Sequence, residues 1–365
     1  MFIYDIANVL AIFIVIFITF RIGLIPLWLA FFLGLFALTP FVLNGIFFPV
    51  SYMPDQLTYF YRVQGIRSLD VDWGNTKMLV SNMMLAFVPL PYVETFQSLG
   101  FFNRLIATII TIWLYASKNL RGWPLLFLLF YPSFILYSSL ALRDTLVFLF
   151  MIMSVILFLE NRRLLALLFS LPLFIIKFQN FFLIIVFFIV HLYFARGTLF
   201  YKYRYIFLTL VVAILAPYVM TIIELVDFYR WALFYDDGGS YSDYVSVKTL
   251  EEFAYLTIQS APYFLMKPFP WEADNFFQLL QSIENFFLLG FLVFMFLKIS
   301  RVDKRIAFKW LAYIVIAFGI YGLVVFNFGT AVRYKFPFIL IMIIGMAYEV
   351  YLNHGKLILN RRSKH

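Results

Sequence analysis

The sequence predicts an all-α, polytopic integral membrane protein of about eleven transmembrane helices, with 1–365 forming a single transmembrane domain. Three observations carry that expectation. Hydrophobic residues fill 64% of the 365 positions and charged ones only 13%, with a mean hydropathy of +0.93, far from the composition of soluble domains. Apolar runs long enough to cross a hydrocarbon core of about 30 Å recur through the chain. The connectors between them divide into a basic set and a more acidic set.

In order, the runs lie near 3–20, 24–48, 101–117, 123–142, 144–160, 163–177, 179–195, 206–226, 283–299, 306–326 and 336–353. Pro26, Pro40, Pro132, Pro172 and Pro217 fall inside them, which predicts kinked helices whose freed carbonyls are satisfied by neighbours. The first run has no basic segment ahead of it and no small-residue cleavage site behind it, so it reads as a retained helix and not a removable signal. With the tail HGKLILNRRSKH on the cytoplasmic side, the inner connectors are Arg21, 117–122, 160–163, 195–204, 298–305 with Lys309, and the tail. They hold 17 Lys and Arg against Glu160, Asp303 and Glu349, while the remaining 11 bases and 16 acids fall outside. A charge of +14 inside and −5 outside accounts for the net +9. That asymmetry follows the positive-inside rule and removes the nucleic-acid partner that a basic chain would otherwise suggest.

Two outer connectors are long. The first, 49–100, holds PDQLTYFYRVQGIR and then MLVSNMMLAFVPLPYVE, a half-apolar stretch broken by Pro89 and Pro91 that is expected to lie in the interface or to dip in and return. The second, 227–282, contains FYDDGGSYSDY, whose paired glycines signal a turn, then the amphipathic VKTLEEFAYLTIQ and the proline-broken APYFLMKPFPW. Both are expected to contain short helices, and long loops of this kind carry function. The 49 Phe and 24 Tyr read chiefly as lipid-facing bulk and interfacial anchors, with sugar-binding platforms as the alternative. Cysteine is absent, so there is no disulfide framework, thiol nucleophile or sulfur metal ligand.

Candidate site residues gather at the outer ends of the runs. Arg143 and Asp144, in SSLALRDTLVFLF, lie between the fourth and fifth runs; Lys177, Gln179 and Asn180 lie between the sixth and seventh; Arg333 and Lys335, in GTAVRYKFPF, precede the last. Asp55, Arg62 and Arg67 belong to the first long loop. Charges there are costly unless partnered or hydrated, and several cations in a partly desolvated cleft suit a pyrophosphate, arginine offering a fixed fork of donors. The alternative is snorkelling or local pairing, Arg143 with Asp144 for instance.

The histidines act by elimination. His354 and His365 lie in the inner tail and His191 near the inner end of the seventh run, so an outer general base has to be a carboxylate. Asp55, beside Tyr59 and Arg62, is the candidate for taking a proton from an attacking sugar hydroxyl, with a helix N-cap after Pro54 as the alternative. Asp236, Asp237 and Asp243 around Gly238 and Gly239 match no calcium-loop spacing and read as a solvated turn. The chain has no Gly-rich phosphate loop or Walker motif, which argues against nucleotide substrates.

The stretch from Tyr131 to Tyr193, opening YPSFILYSSLALRDTLVFLF, resembles the central part of bacterial O-antigen, capsule and exopolysaccharide repeat-unit polymerases, the Wzy-like and EpsG-like membrane proteins. The shared pattern is a proline with small residues, Leu-Arg before a span, a basic inner turn, and a polar turn one helix later. PDQLTYFYR is similar to their Asp-x-x-x-Tyr stretch and AVRYKFPF to their arginine before the last span. The likeness covers most of the chain by topology and only short motifs by residue. One departure is that many relatives carry histidine in the polar turn where this chain has Lys177, Phe178, Gln179 and Asn180.

The resemblance implies a glycosyltransferase at the periplasmic face of the bacterial cytoplasmic (inner) membrane, with a GT-C-like arrangement of helices within the fold expectation. It would transfer a polyprenyl-pyrophosphate-linked glycan onto a lipid-linked repeat unit in lipopolysaccharide or capsule biosynthesis, on an undecaprenyl carrier, alongside a chain-length regulator and a flippase. Arg143 and Arg333 would then hold the donor pyrophosphate, Lys177 would assist, and Asp55 would serve as acid/base or orient the acceptor. Arg62, Arg67, Asp144, Gln179, Asn180 and Lys335 complete the substrate-binding set. A leaving group stabilised by arginines requires no metal or cofactor. The alternatives are a transferase using a polyprenyl-phosphate sugar, an O-antigen ligase, and, from another class, a transporter or flippase of lipid-linked oligosaccharide. A transporter is expected to carry midplane charges and an internal repeat.

Overall fold

A computed structural model describes residues 3–71, 76–236 and 244–362. Among them the regular elements are all helical, as the apolar runs predict. Six helical stretches are long and apolar enough to cross a membrane: Ile3–Arg21, Phe96–Ser117, Arg204–Tyr235, Phe276–Val302, Lys304–Val324 and Phe328–Asn353. Four shorter apolar stretches are Leu27–Leu43, Asp144–Leu159, Arg163–Ile176 and Phe178–Phe194. These helices are compatible with a multi-pass membrane protein, since a helix bonds its own backbone and so meets the condition for crossing lipid. Of the acidic turn 236–243, Asp237 and Asp243 lie outside the described residues, and so does His365. The chain gathers into two compact units, Met1–Ile184 and Ile185–His365.

The first unit runs α1 (Ile3–Arg21), α2 (Leu27–Ala37), α3 (Thr39–Leu43), α4 (Asp55–Arg67), α5 (Thr76–Ala86), α6 (Phe96–Ser117), α7 (Trp123–Phe130), α8 (Pro132–Tyr137), α9 (Asp144–Leu159) and α10 (Arg163–Ile176), with α11 (Phe178–Phe194) crossing its boundary. Helix α6 is its centre: α1, α2, α3, α4 and α9 all pack against it. It starts earlier than its apolar run because Thr95 and Ser98 form a reciprocal capping box, which satisfies two N-terminal donors. The run at 123–142 is not one helix. It breaks at Tyr131, ahead of Pro132, and gives way after Tyr137 to a non-helical turn, 138–143. Residues before proline are driven out of the helical region.

That turn is held closely against α6. The Asn103 amide donates to Leu140 O at 2.7 Å and Leu142 O at 2.6 Å, and a Cβ on Gly100 would stand 2.3 Å from Ser139 O. Only glycine permits that approach of two backbones. Helices α9 and α10 pack side by side and α10 meets α5. At the other end of α9, Glu160 forms an ion pair with Lys118, which closes α6.

The second unit holds α12 (Leu199–Lys202), α13 (Arg204–Leu215), α14 (Val219–Asp236), α15 (Leu250–Met266), α16 (Phe276–Val302), α17 (Lys304–Val324) and α18 (Phe328–Arg362). The 206–226 run is interrupted by a 3₁₀ turn at Ala216–Tyr218, where Pro217 removes a helical donor. In the second long loop, α15 continues through Pro262, joining the two segments that the sequence separates. Its first turn is fixed by a Thr249–Glu252 capping box. It packs on α17 at Gly319 and Gly322, three residues apart on one face, where added Cβ atoms would lie 2.9 Å from Thr257 Cγ2 and 2.5 Å from Ser260 O. Small residues at this spacing let backbones approach. Helix α18 begins at Phe328, before its expected start, so Arg333 and Lys335 lie within its first turns and not in a preceding hairpin turn.

Candidate functional site

The α9–α10 hairpin ends where the sequence puts its first two cationic turns. Arg143 occupies the N-cap position of α9 and Lys177 the C-cap of α10. The Lys177 ammonium lies 3.6 Å from the Asp144 carboxylate, with the two side chains 7% and 1% exposed. Asp144 therefore pairs across the hairpin with Lys177, and not with its neighbour Arg143 as the local-pairing alternative has it. Arg143 is half-buried, and its side chain forms no hydrogen bond or ion pair among the described residues. One turn into α11, Asn180 is buried and donates to Met151 Sδ at 3.0 Å, while Gln179 is exposed.

Helix α4 brings the first loop to the same place. Gln56 accepts a hydrogen bond from Ala141 N at 2.8 Å, so the residue after Asp55 touches the residue two before Arg143. Asp55 is the first residue of α4, exposed, and Pro54 holds the N-cap position instead. A carboxylate in the first turn is favoured by the helix dipole. Asp55 and Arg62, seven residues apart, share one face of α4 at a separation of about 10 Å along its axis. Arg67 is turned elsewhere: its three nitrogens donate to Ala86 O, Leu90 O and Val88 O at 2.7–3.0 Å, and its guanidinium lies 4.6 Å from the Phe102 ring centre. Burial lowers the Arg67 pKa from its ordinary value.

Between α4 and α5 lies a cavity of about 260 Å³, lined in part by Arg62, Asp70 and Asn82. The chain enters it through a reversal after α4, with Asp70 N bonding back to Gly65 O at 2.8 Å and Leu69 in the left-handed region at φ 66°. These are the two marks of a helix-terminating Schellman turn, here without the customary glycine.

Arg333 and Lys335 belong to the second unit. Lys335 is fully buried and donates to Leu265 O, Lys267 O and Asn285 Oδ1, closing the carbonyl end of α15. Arg333 is 8% exposed. Two cations that the sequence leaves unassigned join this unit's interior: Arg230 donates to Leu323 O at 2.5 Å and Lys267 to Phe326 O, both at the break between α17 and α18. Elsewhere in the unit, Lys309 bonds the Glu349 carboxylate and His191 Nδ1, and Trp310 donates to Glu349 at 3.1 Å.

Sequence reasoning missed two buried ionisable groups of the first unit. Asp5, fully buried, accepts from Thr95 Oγ1 at 2.7 Å and Ser98 Oγ at 2.6 Å, the same hydroxyls that cap α6. Arg104, 3% exposed and nine residues into α6, donates to Thr39 Oγ1, Ile135 O and Ser139 Oγ. It has no carboxylate partner among the described residues. Its signal was visible as Asn103–Arg104 inside an apolar run, since a charge within a span is a functional candidate by default.

Among the described residues, no group of three or more His, Asp and Glu side chains is placed to hold a metal ion. No protein-family model, curated protein or solved structure matches the chain.

Proposed function

We propose that the chain is a membrane glycosyltransferase that elongates a polysaccharide, using a polyprenyl-pyrophosphate-linked glycan as donor and a lipid-linked repeat unit as acceptor. The observation that carries this reading is the charge state at the α9–α10 end. The Lys177–Asp144 pair cancels, whereas Arg143 has no described partner and offers a fork of donors suited to a diphosphate. In the proposed step a hydroxyl of the acceptor sugar attacks the anomeric carbon of the donor. The bond from that carbon to the pyrophosphate oxygen breaks, the leaving diphosphate takes its charge to Arg143, and the hydroxyl proton passes to Asp55, whose helix contacts the Arg143 turn.

The side assignments behind the eleven-span, outer-facing arrangement draw support from groups that meet within each unit. Lys118 and Glu160, both assigned inside, form an ion pair; so do Lys309 and Glu349, which His191 joins. Asp5 and Ser98, both assigned outside, are bonded. A flippase of lipid-linked oligosaccharide is the second reading, favoured by Arg104, a cation deep within a candidate span.

The test replaces the chromosomal gene with Arg143→Ala and resolves the surface glycan on a gel. A polymerase variant leaves the protein in the membrane and one repeat on the carrier, with the ladder gone. A normal ladder removes Arg143 from the reaction, and loss of every repeat favours the flippase.

A further inference from the structure

The cavity between α4 and α5 contains a group that the fold leaves unserved. Asn82 is fully buried, and neither its Nδ2 nor its Oδ1 has a hydrogen-bond partner among the described residues. A buried amide without partners is unfavourable, and this one lines a cavity of about 260 Å³. Its neighbours are a cation, Arg62, an acid, Asp70, and the apolar Ile66, Val71 and Leu79. The opposed charges of Arg62 and Asp70 leave the lining near neutral overall, which disfavours an isolated phosphate or carboxylate. An amide that both donates and accepts, flanked by a donor and an acceptor, matches adjacent hydroxyls, each of which also does both. The apolar side chains suit the C–H face of a ring. The volume falls below the roughly 300–1,000 Å³ of pockets for drug-sized ligands, so it holds one ring and not a chain.

We infer that this cavity is a subsite for one uncharged sugar ring of the acceptor glycan, read by Asn82. The assignment rests on the transferase reading for its choice of an acceptor sugar over other polyols. The geometry agrees with that choice, because Arg62 at the cavity lies on the Asp55 face of α4, about 10 Å along the helix.

The test uses the full chain in lipid nanodiscs, with D-glucose, D-galactose, N-acetylglucosamine, glucuronate and inorganic phosphate as probes in saturation-transfer difference NMR. A neutral sugar is expected to give signal, weakened about tenfold or more by Asn82→Leu, which removes the pairing groups, and unchanged by Arg143→Ala. Asn82→Leu is also expected to raise the Tm, since it removes an unsatisfied polar group. Leu79→Trp fills the same space from an apolar position and is expected to abolish the signal without touching the amide. Binding of phosphate or glucuronate alone, no sugar signal, or full binding in both cavity variants overturns the assignment. If the sugar binds as expected but the purified protein never joins lipid-linked repeats, the cavity stands as a sugar site and the transferase reading falls. If repeats are joined while no sugar enters the cavity, the reverse holds.

Discussion

Replacing Asp144 with asparagine is expected to destabilise the first unit by about 3–5 kcal/mol, the range for stranding one member of a buried ion pair. The geometry supports that size: at 3.6 Å and an effective dielectric of about 20, Coulomb attraction amounts to about 4–5 kcal/mol. With Asp144 neutral, the Lys177 ammonium, 7% exposed, loses its charge partner where water barely reaches. Substituting Lys177 with methionine leaves the carboxylate in the first turn of α9, where the helix dipole stabilises it by about 0.3–1 kcal/mol, so that loss is smaller. The double variant is expected to recover much of the difference, because it removes both charges. Arg143→Ala contrasts with all three. No described group loses a bond, so stability is expected to stay within about 0.5 kcal/mol. On the proposed function, a lost charge-assisted hydrogen bond to the leaving diphosphate, at about 1.5–3 kcal/mol, is expected to slow turnover by roughly ten- to a hundredfold. Thermal unfolding in nanodiscs and repeat-joining rate, measured on the same preparations, separate the two effects. Equal destabilisation by Arg143→Ala and Asp144→Asn would refute the division of labour.

Other expectations follow from single contacts. Leu69→Gly relieves a left-handed leucine that is 90% exposed and is expected to stabilise by about 0.5–1 kcal/mol after the glycine entropy is counted; denaturant titration checks it. Gly322→Val drives a side chain into the Ser260 carbonyl and is expected to destabilise by about 1–3 kcal/mol, whereas Gly290→Ala, with nothing within 4 Å, gains up to about 1 kcal/mol of helix propensity. Arg67→Lys cannot reproduce the fork to three carbonyls and is expected to lower Tm, as thermal unfolding checks. The N–H groups of Lys248 and Thr249 hold the Glu252 carboxylate below its ordinary pKa. Its capping contribution is therefore full above the ordinary carboxylate value and lost as pH falls through the lowered one. Hydrogen-exchange protection at 249–253 is expected to fall over that acid window, and Glu252→Gln to abolish the step.

Much of the helical content was legible because twenty-odd apolar residues in a row have few alternatives. Boundaries were less so. The start of α6 depends on Thr95 and Ser98, polar residues that hydropathy assigns to a loop, and α18 draws Arg333 and Lys335 into its first turns because neighbouring carbonyls of α15 accept the Lys335 protons. The pairing of Lys177 with Asp144 joins residues 33 positions apart in sequence, and the adjacent Arg143 was the more obvious partner on the page. The Asn82 amide reads as one polar residue in a mixed segment. Its isolation exists only once α4 folds back over it.

Asp5 has a consequence for how the polypeptide is made. The donors that serve its carboxylate, apart from Asn8 at 3.4 Å, are the hydroxyls of Thr95 and Ser98, some ninety residues downstream. Until that stretch has been synthesised, α1 carries a carboxylate without the two hydroxyls that bond it most closely. The final packing of α1 is therefore expected to wait on the synthesis of α6, which brings the Thr95 and Ser98 hydroxyls to the carboxylate.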